Sequence, residues 1–400
     1  MARMSAVQGA TPATAGEVLA LIRNGSAVTR SAIAAVTGLS RTAVSARLAV
    51  LMESGLVVEG EEAPSGGGRP PATLQFNSAV GVVFAVAIGR SRTQLAVCDL
   101  AGRIQAQDSR DHAPGLAPGA RMTGIVERLR SLLDEAGRGV ADVRAIGISI
   151  PGTVDHDAGA SLDSPLLPGW DGVPLAPFFA EFADAPVFLD NDANALAASE
   201  TGFLLATYDD LLLVKVSTGL GVGIVVRGEL VRGAWGAAGE LGHLKSAAAA
   251  GRTCRCGEVG CLEAVAGGWA LVQELSARGR EVEHVRVLVA LAREGDAEAR
   301  ALIRESGRRV GEVLAQAVNL LNPAAVVLGG DMAAAYDTFV AGFREGLYAN
   351  AASVATRRLQ VLQSTHGEEA GIVGCTSMAV ESLLEPARLD RMLARPLARA

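Results

Sequence analysis

The chain has 400 residues, half of them hydrophobic and a fifth charged, which excludes a disordered chain and calls for more than one folding core. Its formal net charge of -7 excludes general affinity for nucleic acid across the whole surface. No uninterrupted apolar run reaches the length of a membrane span, and Met1 to Gly16 lacks a basic segment followed by an apolar one, so neither membrane insertion nor a signal peptide is expected and the reading is cytoplasmic.

The charge is uneven. Between Met1 and Val58 stand five arginines (Arg3, Arg23, Arg30, Arg41 and Arg47) against Glu17 and Glu53, a basic head on an acidic body. That head reads as three short helices and a hairpin. Thr14 and Glu17 form a capping box before Val18, Leu21 and Ile22, with a stop at Asn24-Gly25. Thr29 caps a second helix that places Ile33 and Val36 inside and ends at Gly38. Ser40 caps a third, with Val44, Leu48 and Leu51 on one face and Ser54-Gly55 as its stop. Strands are expected at Leu56 to Glu59 and Thr73 to Phe76, around a polar, glycine-rich tip.

Three helices and a hairpin of this kind describe a winged helix-turn-helix, whose third helix enters the DNA major groove. With Val44, Leu48 and Leu51 inward, Thr42, Ser45 and Ala46 point outward, and Arg41 and Arg47 flank them within reach of phosphates or a guanine edge. The tip Gly66-Gly67-Gly68-Arg69-Pro70-Pro71 holds Arg69 for a neighbouring minor groove. A head of this shape can also serve protein contacts. The basic charge, the helix spacing and the basic wing favour double-stranded DNA.

After Asn77 the pattern becomes strands alternating with helices. Strands are expected at Val80 to Ile88, Thr93 to Asp99, Val143 to Ile150, Val187 to Leu189, Leu211 to Val216, Gly223 to Val226 and Ala325 to Leu328. Helices fall between them, for example Arg121 to Ala136, Ala193 to Thr201 and Arg300 to Leu321. Glycine-rich turns follow strands near Gly89 and Gly219, which suggests two similar α/β halves. The division is a DNA-binding head with its wing, residues 1–76, and an effector domain, residues 77–400.

Cys254-x-Cys256-x4-Cys261 offers three soft ligands on a glycine-containing loop, and His243, eleven residues upstream, is the nearest histidine. Together they would make a closed, structural Cys3His zinc site. Asp190-Asn191-Asp192-Ala193-Asn194 sets polar groups at a strand end opening a helix. Asp192 can take a proton from a sugar hydroxyl, hydrogen-bond it, or merely cap the helix. Glu240, His243 and Glu263 add hydroxyl-binding groups beside the cysteine loop. Ser217 to Gly223 is a glycine-rich turn able to offer backbone N–H groups to phosphate, with Thr218, Gly219 and Gly221 as its remnant of a phosphate loop. The first turn, Ala87-Ile88-Gly89-Arg90-Ser91-Arg92-Thr93, has no carboxylate to hold Mg²⁺, which counts against phosphoryl transfer.

These residues resemble the ROK family (repressors, open reading frames and kinases), in its regulator branch. The most specific part is Gly239-Glu240-Leu241-Gly242-His243 followed by Cys254-x-Cys256-Gly257-x-x-Gly260-Cys261-Leu262-Glu263. Asn191-Asp192-Ala193-Asn194, Pro151-Gly152 and Asn322-Pro323…Leu328-Gly329-Gly330 also match, so the likeness runs from about Thr14 to about Leu384. The head and its Gly-Arg-Pro-Pro segment are similar to those of the family's xylose and N-acetylglucosamine repressors. The resemblance implies an actin-like, ribonuclease-H-type sugar-kinase fold of two lobes with sugar in the cleft. It implies sugar contacts from Asn191, Asp192, Glu240, His243 and Glu263, with Asp192 where family kinases keep their general base. It implies zinc on His243, Cys254, Cys256 and Cys261, and an adenosine motif at Leu328-Gly329-Gly330. Family kinases carry Asp-x-Gly-Gly-Thr at the first turn, whereas this chain has Ala87 in place of the magnesium-linked aspartate. Ser164-Pro165-Leu166 also departs from the asparagine that kinases often carry there. The expectation is a sugar-responsive DNA-binding repressor, a homodimer or dimer of dimers, that binds sugar without phosphorylating it. The alternative is an ATP-dependent sugar kinase with an appended head.

Overall fold

The computed structural model describes residues 13–62, 72–112, 115–162, 167–182 and 185–394. Three helices open the chain: α1 (Ala15–Arg23), α2 (Arg30–Thr37) and α3 (Arg41–Glu53). Each starts on the predicted cap. Thr14 makes both halves of a capping box with Glu17, Thr29 accepts from the Ala32 N–H and Ser40 from the Ala43 N–H, so amides with no partner inside the helix are satisfied. Val18, Ile22, Ile33, Val44, Leu48 and Leu51 are buried together. Val36 is not among them. It is 60% exposed, because the three-helix core closes over Ile33 and leaves the last turn of this short helix in water. The hairpin follows as β1 (Val57–Glu62) and β2 (Ala72–Phe76), with Val57 opposite Phe76. β2 ends at Phe76.

The next strands are β3 (Val82–Ile88), β4 (Arg92–Asp99) and β5 (Ile104–Asp111), an antiparallel meander. Helix α4 (Pro118–Glu135) crosses to β6 (Val143–Ile150), the ribbon β7 (Thr153–Asp155) and β8 (Ala160–Leu162) interrupts, and β9 (Val187–Asn191) leads into α5 (Asp192–Ser199). The sheet order is β5-β4-β3-β6-β9, with β3, β6 and β9 parallel.

The second half repeats this plan. β10 (Leu211–Val216), β11 (Leu220–Val226) and β12 (Glu229–Leu230) form the meander. A loop and helices α6 (Glu263–Ala266), α7 (Gly268–Ala277), α8 (Val285–Glu294) and α9 (Ala297–Leu321) lead to β13 (Ala325–Gly329). Then α10 (Tyr336–Asn350) and α11 (Ser353–Thr356) lead to β14 (Gln360–Gln363). The order is β12-β11-β10-β13-β14, with β10, β13 and β14 parallel. Two sheets of the same order and the same mixture of directions make the predicted two-lobed, ribonuclease-H-type architecture. No described helix is long and apolar enough to cross a membrane.

Two last helices, α12 (Ala370–Leu383) and α13 (Pro386–Leu393), return the chain to the first lobe and to the head. α12 lies so close on the first sheet that a Cβ on Gly147 would sit 2.0 Å from the Cys375 carbonyl oxygen, and one on Gly374 would sit 1.8 Å from that of Ala195. α13 packs on α1: the Gly16 N–H donates to Asp390 Oδ1 at 2.9 Å, and Arg23 pairs with Glu381 at the end of α12. One continuous cluster of buried side chains joins Val18, Leu19 and Leu51 of the head to Met378, Leu383 and Leu389.

Candidate functional site

The lobes meet around a cleft of ≈ 540 Å³, lined by the β3–β4 turn, the β10–β11 turn, the start of α5, the loop after β12 and the first residues of α12. Strand ends place these groups, because in parallel α/β layers the loops beyond the carboxyl ends carry the ligand-facing side chains.

At the start of α5 the polar run divides its labour. Asn191 is the helix cap: its side-chain oxygen accepts from the Ala193 N–H at 2.7 Å, and its Nδ2 donates to the Gly152 carbonyl at 2.7 Å. Capping therefore falls to Asn191 rather than Asp192. Asp190 is buried and structural, accepting from Asn194 Nδ2 and Arg232 Nε at 2.7 Å each. Asp192 is left facing the cleft, and its Oδ2 accepts from Lys215 Nζ at 2.6 Å. Lys215, which the sequence reading did not single out, thus forms an ion pair with Asp192.

The loop after β12 brings Glu240, His243 and the three cysteines together. His243 Nδ1 lies 3.9 Å from Cys254 Sγ, while its Nε2 lies 3.7 Å from a Glu240 oxygen. One edge of the ring faces the cysteines and the other faces the cleft. Glu240 also accepts from Thr153 Oγ1 at 3.3 Å; burial pushes its carboxyl up, partly offset by His243 and Thr153. The ligand atoms of His243, Cys254, Cys256 and Cys261 all lie within 4.8 Å of one another, and Cys256 Sγ is 3.8 Å from Cys261 Sγ. A tetrahedral ion with metal–sulfur bonds of about 2.3 Å sets its sulfurs about 3.8 Å apart, so the group can hold a metal ion. Burial pushes the Cys254 thiol up to about 12, so an ion entering here displaces protons. Lys245 Nζ, 3.6 Å from Cys261 Sγ, favours the thiolate.

Glu263, the first residue of α6, sits two residues beyond Cys261 and is 2% exposed. Its Oε2 accepts from the Leu220 N–H at 3.0 Å; its Oε1 accepts from Arg255 Nη2 at 3.1 Å and Trp269 Nε1 at 3.0 Å. The Arg255 guanidinium lies 4.8 Å over the Trp269 ring. Glu263 therefore reaches the cleft wall, with most of its acceptor capacity already taken up by the chain.

The two turns face each other. In the first, the Gly89 N–H donates to the Arg92 carbonyl at 2.7 Å, and Ala87, Arg90 and Ser91 line the cleft. In the second, Thr218, Gly219 and Gly221 line it, and the Asp331 N–H donates to Ser217 Oγ at 3.0 Å. His284, also unanticipated, stands between them: its Nε2 is 3.1 Å from Ser91 Oγ and 3.4 Å from Thr218 Oγ1, and its Nδ1 accepts from the Arg286 N–H.

On the head, Arg41, Thr42, Ser45 and Ala46 are exposed along α3 as the helical spacing requires. Arg47 is turned inward instead. Its Nε donates to the Ala13 carbonyl at 2.8 Å and its Nη1 to that of Ala43 at 3.3 Å. Arg69 and Ser164-Pro165-Leu166 lie outside the described residues.

A mixed fold of two matching lobes, an interlobe cleft lined by polar groups and an adjoining Cys3His cluster define a sugar-kinase-like domain carrying a helix-turn-helix head. The chain belongs to the ROK family, whose sequence signature matches residues 83–382, and that of the MarR family matches residues 9–69. It is 28% identical to a xylose repressor of Caldicellulosiruptor bescii over 92% of this chain and 95% of that one. A crystal structure of a ROK family transcriptional regulator, described as a homologue of the Escherichia coli MLC protein, matches with TM-score 0.80 and 25% identity over 95% of this chain and 98% of that one. A ROK family glucokinase from Streptomyces griseus, solved with glucose and AMPPNP, matches with TM-score 0.63 and 30% identity over 75% of this chain and 99% of that one.

Proposed function

We infer that this protein is a cytoplasmic, DNA-binding transcriptional repressor of genes for carbohydrate uptake or catabolism, and that a sugar or sugar derivative in the interlobe cleft releases it from its operator. The observation that carries the reading is the joining of a DNA-reading head to a kinase-like cleft with no magnesium carboxylate. Ala87 stands at the end of β3, and Asp192 is held by Lys215. The likeness to a xylose repressor over nearly the whole chain supports it. Residues 1–76 read DNA and 77–400 sense the effector, with Arg41, Thr42 and Ser45 of α3 and Arg69 of the wing toward the duplex. A homodimer places two heads on a palindrome, as helix-turn-helix readers require.

In this reading Asp192, Glu240 and His243 bind hydroxyls, while Asn191 and Glu263 shape the pocket through the bonds they already make. Zinc fits the four ligands by donor chemistry and spacing. His243, Cys254, Cys256 and Cys261 would hold it, and it would supply a fixed loop that orients His243 and α6. The path from cleft to head is α12. Gly371 lines the cleft at one end, Glu381 holds Arg23 at the other, and 14 residues of helix span about 20 Å between them. A ligand that prefers one lobe arrangement shifts this strut and, with it, α1.

Catalysis is absent in this account, because the first turn carries Ala87 where the family's kinases have the magnesium-linked aspartate. The test joins two assays on the full chain: electrophoretic shift of the protein's own promoter region with a sugar panel, and ADP release with the same panel. Operator release without turnover is expected. Sugar-dependent ADP release at about 1 s⁻¹ or faster would restore the kinase reading.

A further inference from the structure

The chain carries 36 lysines and arginines, and only two of them, Lys215 and Lys245, are lysines. Lys245 stands beside Cys261 of the cysteine cluster, and Lys215 lines the cleft. The cleft therefore holds a compact ammonium in a chain that otherwise uses the planar fork of arginine for its cations. β10 makes room for it. Lys215 lies in register with Gly221 of β11 on one side and Gly329 of β13 on the other. A Cβ on Gly221 would stand 3.1 Å from that of Ala193, so the first turn of α5 covers this part of the sheet, and the ammonium comes out beside Asp192 at the start of that helix. A cation there meets the positive end of the helix dipole, an unfavourable placement that the carboxylate offsets. The pairing leaves polar atoms over. Of the three Nζ donors, one goes to Asp192 Oδ2 at 2.6 Å, and the others meet no partner among the described residues; Asp192 Oδ1 accepts from none of them either. The two side chains keep 19% and 18% of their surface exposed, and both line the cleft. Asn191 and Glu263, by contrast, commit their polar atoms to the chain itself.

We propose that Lys215 contacts the effector and sets its specificity: with Asp192 it clasps one hydroxyl of a neutral sugar, which donates to Asp192 Oδ1 and accepts from Lys215 Nζ. This deepens the regulator reading and rests on it. A hydroxyl is donor and acceptor at once, and a carboxylate beside an ammonium offers both complements within one ion pair. The pair is neutral as a whole, so it favours a neutral group over an ammonium, which Lys215 repels, and over a carboxylate, which Asp192 repels. Hydrogen bonds to charged partners are about twice as strong as neutral ones, so this one hydroxyl is read more sharply than those held by uncharged groups. The same contact disfavours transfer chemistry. The oxygen lone pair that would attack a phosphoryl group is turned to Lys215 instead, and the carboxylate that would take the proton is already paired. Lys215 thus suits the cleft to holding a sugar rather than changing it.

The experiment uses the full chain with D-xylose, D-glucose and the monodeoxy analogues of each, and glucuronate and glucosamine as charged controls. Calorimetric affinities are compared between the wild type and Lys215→Met, which keeps the stem and removes the donors. The variant should bind the parent sugar at least about tenfold more weakly. Wild type and variant should bind alike the one deoxy analogue that lacks the clasped hydroxyl, because the contact is already gone. A merely structural lysine would weaken every ligand equally, and that result overturns the proposal. A second measurement needs no variant at this position. With lysine isotope-labelled at Cε, the wild type gives two side-chain resonances, assigned through Lys245→Arg, and the parent sugar should shift that of Lys215. A bound sugar that leaves the Lys215 resonance unmoved overturns the proposal, even where Lys215→Met does not fold. Binding of neither neutral sugar, or of the charged controls alone, overturns it too. Operator release by a sugar that does not move the Lys215 resonance would sink this inference and leave the repressor standing. A chain that binds no promoter DNA would sink the repressor, while calorimetry and the resonance still decide Lys215.

Discussion

The two lobes are built on the same strand order, yet the turn that follows the central strand of each has become a different object. In the second lobe, the β10–β11 turn keeps its glycines because there is no room for anything else: a Cβ on Gly219 would lie 2.7 Å from Glu263 Oε2. In the first lobe, the β3–β4 turn opens toward the cleft, carries Arg90 and Ser91, and ends a strand whose Ala87 contacts the start of α12. One turn is held by the packing behind it and the other is free to change chemistry. A scaffold repeated twice need not keep two functions, since topology places a loop and only the loop's contacts constrain its side chains.

The comparison can be broken most severely at the floor of the first lobe. Gly147→Val puts side-chain atoms where the Cys375 carbonyl already stands, and neither backbone can retreat. A loss of about 3 kcal/mol or more is expected, seen as a large fall in melting temperature or loss of soluble protein. Wild-type stability in that variant would mean α12 is not seated as described.

The second lobe is tested by Cys256→Ser. Metal analysis should find about one zinc per chain in the wild type and little in the variant, because a three-ligand site binds zinc far more weakly. Effector response should be lost as well, since the loop orients both His243 and α6. Full metal content in the variant would refute the ligand set.

A smaller effect belongs to the contact between the turns. His284 is held below its ordinary value of 6.5 by burial and then by Arg286. The unfolded chain therefore takes up a proton at this site before the folded one does. The stability it contributes is fully present above pH 6.5 and is lost as pH falls through its lower folded value. Protonation would set an Nδ1 donor against the Arg286 N–H it now accepts from. Thermal melts between pH 8 and pH 5 should show a decline that His284→Gln reduces; an identical decline in both would remove His284 from the contact.

The smallest effect sought is none. Ala87→Asp restores the missing carboxylate but leaves Lys215 on Asp192 and Arg90 in the turn. ADP release should stay below about 1 s⁻¹ across a sugar panel. Turnover in this single variant would show that one residue separates regulator from kinase.

Much of this was legible in the chain itself. Thr14, Thr29 and Ser40 announced three helices because a capping side chain acts within three residues of itself, and Cys254, Cys256 and Cys261 announced a cluster because the ligands are near neighbours. The strand runs of both lobes showed in their apolar continuity. Val36 misled, since helical spacing pairs it with Ile33 but says nothing of how wide the head's core is.

The sequence by itself determined the local elements, the ligand-bearing loop and the absence of a carboxylate at Ala87, all set by interactions a few residues long or by composition at one position. Only the tertiary structure decided that Lys215 meets Asp192 across 23 residues, that Arg255 and Trp269 take up Glu263, that His284 joins the two turns, and that Asp390 reaches back 374 residues to Gly16. Those contacts depend on which strand ends and helix faces the fold brings together. Side chains distant along the chain acquire partners only when the lobes have packed, and no spacing in the sequence encodes that distance.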